Sequence, residues 1–413
     1  MYLAIHRILG SHPPFRLRSR HLSTCIGTAA LDQKKDPSYA LKRFIIDKIR
    51  ATGPITVAEY MKTVVSAPRI GYYGGFSESR KIFGKEGDFV TAPELTQLFG
   101  ELVGVWCYYE LANTGHHGPW QLVECGPGTG QLMSDILRVM VNFQEKNVSV
   151  HLVECSDALI EQQERLLCGR CGFLPSSESQ KSDDSASYVK KSVSKSGVPI
   201  YWYKTIDDIP DQVILNVFSL LTIHLETVAL KLFPHSFPSS SVTNSLTRCQ
   251  FISSAEILMG RGMRIICNGG FGIIIDYGHD GSRNDLSFRG YKKHEQVHPL
   301  SQPGAIDLTA DVNFGYLKSL VADRAAVYGP NTQREFLGQM GIELRLRKLL
   351  KSCNEREKQE SLIKSYNFLM GDMGERFLTI SIFPKTLSGI LEQRGGPAGF
   401  AFPRFSHSKP QAT

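Results

Sequence analysis

Residues 121–133 read QLVECGPGTGQLM, and no other stretch restricts the possible folds as strongly. Gly126, Gly128 and Gly130 occupy alternate positions, so the backbone can bend sharply and a ligand can approach it closely. Leu122 and Val123 precede the turn, and Leu132, Met133, Ile136 and Leu137 follow at helical spacing. The pattern predicts a buried strand, a tight turn and the start of a helix. Glu124 stands where the strand should end. A glycine turn that only packs strand against helix would need nothing more.

Spacing separates the ligands that such a turn can serve. A phosphate-cradling loop requires a Lys-Ser or Lys-Thr after the glycines, and none follows here. A dinucleotide fingerprint starting at Gly126 requires its third glycine at position 131, where this chain has Gln131. That spacing disfavours a nicotinamide-dependent oxidoreductase. The acidic-x-G-x-G-x-G pattern suits S-adenosylmethionine. This ligand carries a cationic sulfonium rather than a pyrophosphate, so a carboxylate at Glu124 has an electrostatic role. A second expected strand ends at Glu154, 24 residues after Gly130. An acidic residue there is placed to hold two ribose hydroxyls. The expected cofactor site is Glu124, Gly126, Gly128, Gly130 and Glu154, together with Asn216 further along the chain, with no metal.

Further apolar runs extend the α/β pattern. Residues 38–66 and 96–111 read as helices on either side of a long loop rich in aromatic, glycine and acidic residues. Loops of that length inside a domain are usually functional or disordered. Short strands are expected at 200–203 and 213–216, the latter ending on Asn216. Ile273, Ile274 and Ile275 predict a central strand from whose end Asp276 and Tyr277 emerge. Asp307 and Asp311 read as residues at the start of a helix near Phe314. Helices follow over 332–340 and 343–352, then a last strand over 377–383. Residues 175–196 are Ser-rich and charged and read as a disordered surface insertion. From 388 to 413 the Gly- and Pro-containing tail is expected to be loose.

Residues 1–31 contain no Asp or Glu but several Arg and Ser interleaved with apolar residues, the composition of a mitochondrial transit peptide. The domain is therefore expected over 38–385, with 38–112 as its helical and loop N-terminal part. No apolar run approaches the roughly 20 residues that span a bilayer, and no basic stripe with interleaved aromatics marks a nucleic-acid surface. The nine cysteines are scattered, and the C-x-x-C at Cys168 and Cys171 has no second pair at zinc spacing. Isolated thiols fit a reducing compartment such as the mitochondrial matrix.

These segments together resemble the MidA-like family of mitochondrial complex I assembly factors with arginine methyltransferase activity. The matching stretches are GPITVAEYM at 53–61, GDFVTAPE at 87–94, LVECGPGTG at 122–130, VECS at 153–156, IDYGH at 275–279, DLTAD at 307–311 and MGERF at 373–377. The resemblance implies a Rossmann-like S-adenosylmethionine-dependent methyltransferase sheet with helical N-terminal and inserted segments. It also implies a core subunit of respiratory complex I as protein substrate. One stretch departs from the family. After the fourth strand the family carries NEFFDALPVH, whereas residues 216–224 read NVFSLLTIH, without the Glu and Asp. A guanidinium acceptor needs carboxylates to hold it and to take its proton. Asp88, Glu94 and Glu101 are the expected catalytic carboxylates, although Glu94 could equally cap the helix after Pro93. The loss of the family acids keeps a second reading open, an S-adenosylmethionine-binding assembly chaperone without transfer activity.

Overall fold

The computed structural model describes residues 37–67, 70–73, 82–84, 87–88, 90–169, 188–210, 215–221, 266, 269–283 and 287–400. The expected transit peptide, most of the expected insertion and the stretch from 222 to 265 lie outside these residues.

The framework is one twisted sheet. β1 (Trp120–Cys125), β2 (Val148–Val153), β4 (Pro199–Tyr203), β5 (Leu215–Leu221) and β6 (Phe271–His279) run parallel. β12 (Phe377–Pro384) pairs antiparallel with β6, and β11 (Ala325–Thr332) pairs antiparallel with β12. With β3 (Lys190–Val193) at the far edge, the spatial order is β11-β12-β6-β5-β1-β2-β4-β3, and the two-residue β10 (Val312–Asn313) is added at the end of β6. The chain leaves β1 in one direction through β2 and returns to its other side as β5. A crevice therefore opens beyond the carboxyl end of β1, where ligands of open α/β sheets bind.

The apolar alternation of the strands explains the layering. Leu122, Val150, Leu152 and Ile273 face one core with the helices Gln97–Asn113 and Gln131–Asn142. Val123, Cys125, Val153 and Ile274 face the other, with helix Phe314–Val321. Helix Gln131–Asn142 buries Leu132, Met133, Ile136, Leu137, Val139 and Met140, at about 1.5–3 kcal/mol for each large side chain. It packs so tightly on helix Gln97–Asn113 that a Cβ at Gly100 would lie 2.6 Å from Asp135 Cβ. A third cluster joins the N-terminal helices Pro37–Thr52 and Val57–Ser66 to a small sheet of β8 (Glu295–Val297), β7 (Arg289–Lys292) and β9 (Asp307–Thr309).

Three expectations change. The Ser-rich segment ends in order, because Lys190–Val193 forms β3, antiparallel to β4 at the sheet edge. Edge pairing uses backbone groups, so polar composition does not prevent it, and Ser192 and Ser194 turn inward. The tail is docked as far as residue 400: Ser388–Gln393 is helical and Phe400 is buried. Glu110 explains the docking. It is 1 % exposed, pairs with Arg394 and accepts from Ala398 N at 2.8 Å, while Trp106 Nε1 donates to Ala398 O at 3.0 Å. Finally, Asp307 lies in β9, not at a helix start, and the helix at Phe314 is capped by Asn313.

Candidate functional site

β1 ends at Cys125 and the glycine turn follows. Gly126, Gly128 and Gly130 have φ of +68°, +55° and +84°, the left-handed region that side chains disfavour. Gly126 N donates to Val153 O at 2.9 Å, which ties the turn to the end of β2. Gly130 is the N-cap of the following helix, and its missing Cβ admits Gln163, whose Cγ would lie 3.2 Å from it. Gly126 and Gly128 line a cavity of about 740 Å³ over the turn, but Gly130 does not.

Two carboxylates close the strand side of this cavity. Glu124, 1 % exposed, has an Oε2 with no protein hydrogen-bond partner. Burial, followed by the nearby charge of Glu154, pushes its carboxyl up to about 8. Glu154 is raised by burial as well, and hydrogen bonds from Ser156 N and Gln163, with the charge of Lys204, pull it back. The N-terminal loop supplies the opposite wall through Tyr73, Phe83, Thr91 and Glu94. Glu94 sits in the four-residue helix Ala92–Leu95. Burial pushes it up to about 7, against hydrogen bonds with Thr129 of the turn and with Thr91. Its Oε2 also has no protein partner.

Gln163 holds the site together. Its Nε2 donates to Gly128 O at 2.8 Å and Glu154 Oε2 at 3.3 Å, and its Oε1 accepts from Trp202 Nε1 at 2.9 Å. Sequence reasoning noted it only as part of a helix. A polar residue on the buried face of the helix after Glu154, in line with Leu159, Ile160 and Leu167, is its only signal. Asn216 lies on β5 opposite Gln121; its side chain is outside the described ones.

Two expected catalytic carboxylates are elsewhere. Asp88 lines neither this cavity nor its neighbour. Its Oδ2 accepts from Tyr72 at 2.7 Å and its Oδ1 from Lys293 N at 2.9 Å, so it fastens the loop to the β7–β8 hairpin. Glu101 is a bolt between three helices. Arg345 grips it at 2.8 and 3.0 Å, and Arg138 and Gln97 each at 3.1 Å. The sequence offered no sign of Arg345, 244 residues away. Asp276 is interior to β6, which continues to His279, and it accepts from its neighbour Tyr277 N.

The donor set fits S-adenosylmethionine. Glycine backbone approaches the cavity without side chains, and two buried carboxylate oxygens lack partners where a cationic ligand would supply them. Among the described residues no group of three or more His, Cys, Asp or Glu is arranged for a metal ion, and no helix is long and apolar enough to cross a membrane.

Residues 102–227 and 220–331 match the model of a family of S-adenosyl-L-methionine-dependent methyltransferases. A mitochondrial protein arginine methyltransferase NDUFAF7 homolog of Caenorhabditis elegans is 50% identical, over 89% of this chain and 93% of its own. Human mitochondrial NDUFAF7, also named a protein arginine methyltransferase, is 35% identical over 92% and 91%. Among solved structures, a candidate methyl transferase from Burkholderia thailandensis bound to S-adenosyl-homocysteine superposes with a TM-score of 0.62 at 19% identity, covering 86% of this chain and 93% of that one. At that identity the likeness concerns the fold.

Proposed function

The chain belongs to the family of S-adenosyl-L-methionine-dependent methyltransferases that includes the mitochondrial protein arginine methyltransferases NDUFAF7, and we propose that it methylates arginine in a protein partner in the mitochondrial matrix. The relatives' names support arginine as acceptor and the mitochondrion as the compartment. A core subunit of respiratory complex I is the proposed protein substrate, on the resemblance of the motifs at 87–94, 122–130 and 307–311.

One observation carries the chemistry: Glu124, buried, and Glu94, half-buried, line one cavity, and each keeps one buried carboxylate oxygen without a protein partner. The bound cofactor supplies an electrophilic methyl group on a positive sulfur. Nitrogen–carbon bond formation then accompanies carbon–sulfur cleavage, the bonding pair stays on sulfur, and a nitrogen-bound proton must leave. Glu124 balances the positive charge. Glu154, held by Ser156 N and Gln163, receives the ribose hydroxyls. Glu94 takes the proton: with its carboxyl near 7 it is substantially ionised at matrix pH and still basic enough to accept. The loop 91–94 aligns acceptor and methyl group, the main task in such a displacement.

The test is mass spectrometry of isolated complex I subunits incubated with the full-length protein and methyl-labelled S-adenosylmethionine. Label on arginine that falls at least tenfold in Glu94→Gln, with S-adenosyl-homocysteine binding retained, is expected. Full activity in Glu94→Gln would remove Glu94 from the mechanism. The altered stretch 216–224 favours a second reading, a cofactor-binding assembly chaperone. Cofactor binding without any labelled arginine would select it.

A further inference from the structure

A second cavity of about 770 Å³ adjoins the cofactor cavity. Thr91 lines both, and Tyr73 of the first donates from its hydroxyl to Asp307 Oδ1 of the second at 3.2 Å. The sheet β8-β7-β9 forms one wall. Asp307 and Thr309 are two apart on β9 and share a face, and Tyr291 is directly opposite Asp307 on β7. The main sheet forms another wall, with Tyr277 on β6 and Phe377 on β12, their ring centroids 4.0 Å apart.

The deep polar groups of this cavity are acceptors. Asp307 is 1 % exposed. Gln333 is fully buried; its Nε2 is used by Leu369 O at 3.1 Å, and its Oε1 has no protein partner. Thr309 Oγ1 is likewise buried without one. Buried acceptors left unpaired are costly unless a ligand brings donors. Among the described residues two arginines stand near this cavity. Arg289 pairs with Asp311, while Arg376 lies at the rim, with its side chain 62% exposed and 3.5 Å from Asp372.

We infer that this cavity is the acceptor pocket and that it takes the guanidinium of a substrate arginine, with Asp307 as its ionic partner and Gln333 Oε1 and Thr309 Oγ1 as further acceptors. The inference rests on the arginine methyltransferase reading. A guanidinium offers five N–H donors in a planar fork, which suits a carboxylate plus separate oxygens. Its presence would itself favour the ionised form of Asp307. Tyr291 and Phe377 give the aliphatic arm and the planar cation apolar and π surfaces, while the Tyr277 ring already carries Arg289, 5.8 Å from its centroid. The shared Thr91 puts the guanidinium next to the cofactor cavity and Glu94. Lysine would bring a compact ammonium whose three donors radiate from one atom, a poorer match than a planar fork to acceptors spread over β9 and the helix Gln333–Gln339.

The experiment is saturation-transfer NMR on the full-length protein loaded with S-adenosyl-homocysteine. The probes are N-acetyl-arginine methylamide and its lysine and norleucine counterparts. The arginine compound should bind best, and Asp307→Asn or Gln333→Leu should weaken it roughly tenfold or more, as expected for a lost charge-assisted or buried hydrogen bond. S-adenosyl-homocysteine affinity within twofold of wild type reports an intact fold, since asparagine keeps an acceptor for Tyr73. Equal binding of the arginine compound by wild type and Asp307→Asn, or arginine binding no better than norleucine, overturns the inference. A parallel methyl-transfer assay separates it from the reading beneath it. Arginine methylation with the same kcat/KM in Asp307→Asn rejects the pocket and leaves the activity. Asp307-dependent binding without any transfer by wild type rejects the activity and leaves the pocket.

Discussion

Raising the pH from 6 to 9 should tighten S-adenosylmethionine binding far more than S-adenosyl-homocysteine binding, because Glu124 must ionise to meet the sulfonium. In the ligand-free protein burial and the charge of Glu154 hold the Glu124 carboxyl near 8, so at neutral pH its neutral form dominates. A positive ligand beside it favours the charged form and lowers the pKa of the complex. Binding therefore expels a proton, and affinity rises with pH until the free carboxyl has ionised. If the bound pKa falls below 6, each pH unit below 8 costs about a factor of ten, and the span from 6 to 9 changes affinity roughly a hundredfold. Calorimetry at pH 7 in buffers of different ionisation enthalpy reads the same event as about nine-tenths of a proton released per ligand. Glu94, near 7 and on the opposite wall, steepens the profile at its lower end. S-adenosyl-homocysteine shares the amino acid and nucleoside but lacks the charge on sulfur, so any excess slope isolates the sulfonium. Glu124→Gln should remove most of that excess and leave only the part that Glu94 contributes below about pH 7. Parallel pH profiles for the two ligands, or a buffer-independent enthalpy with S-adenosylmethionine, would refute the assignment of Glu124.

The other expectations concern the supports of the site. Arg394→Ala strands Glu110, whose side chain is 1% exposed while Arg394's is 21% exposed; urea unfolding should show a loss of roughly 2–4 kcal/mol, below the roughly 3–5 kcal/mol for breaking a fully buried pair because Arg394 is partly exposed, and Glu110→Gln in the same chain should recover part of it. Gln163→Leu removes the donor to Gly128 O and Glu154 and leaves Trp202 Nε1 unpaired; calorimetry should find S-adenosyl-homocysteine binding at least tenfold weaker, and unchanged affinity would show that the turn holds its shape alone. Gly128→Val places a β-branched residue at φ +55° with its Cβ 3.6 Å from Phe83 Cζ; the left-handed backbone costs about 1–2 kcal/mol, and titration should detect no cofactor binding while circular dichroism stays native.

The cofactor half of the site was legible because its determinants are local. Three alternating glycines between an apolar strand and an apolar helix permit the positive φ this turn adopts, and Glu124 stands near the end of one apolar strand and Glu154 just after another. The remaining carboxylates could not be sorted that way. Asp88, Glu94 and Glu101 share one segment of similar composition, yet one staples a hairpin, one faces the cavity and one bolts helices. What separates them is a partner distant in sequence: Lys293 for Asp88, Arg345 for Glu101, and Thr129 for Glu94. Residues 388–400 misled for the same reason. Their Gly and Pro content indicates looseness only until Glu110 and Trp106 provide anchors.

The altered stretch, whose residues 216–221 lie within β5, then has a physical consequence. Residues 216–224 lack the acids that the family motif carries there, so a guanidinium must find its carboxylates on other elements if the chain transfers methyl groups. Two are available at the junction of the cavities. Glu94 comes from the N-terminal loop and Asp307 from the small sheet, and Tyr73 and Thr91 join the walls that carry them. Neither element belongs to the parallel sheet that forms the cofactor turn. The two cavities share walls, but the glycine turn belongs to one and Asp307 to the other, so variants of Gly128 and Asp307 should separate cofactor binding from acceptor binding: the first losing both cofactor and transfer, the second losing transfer alone.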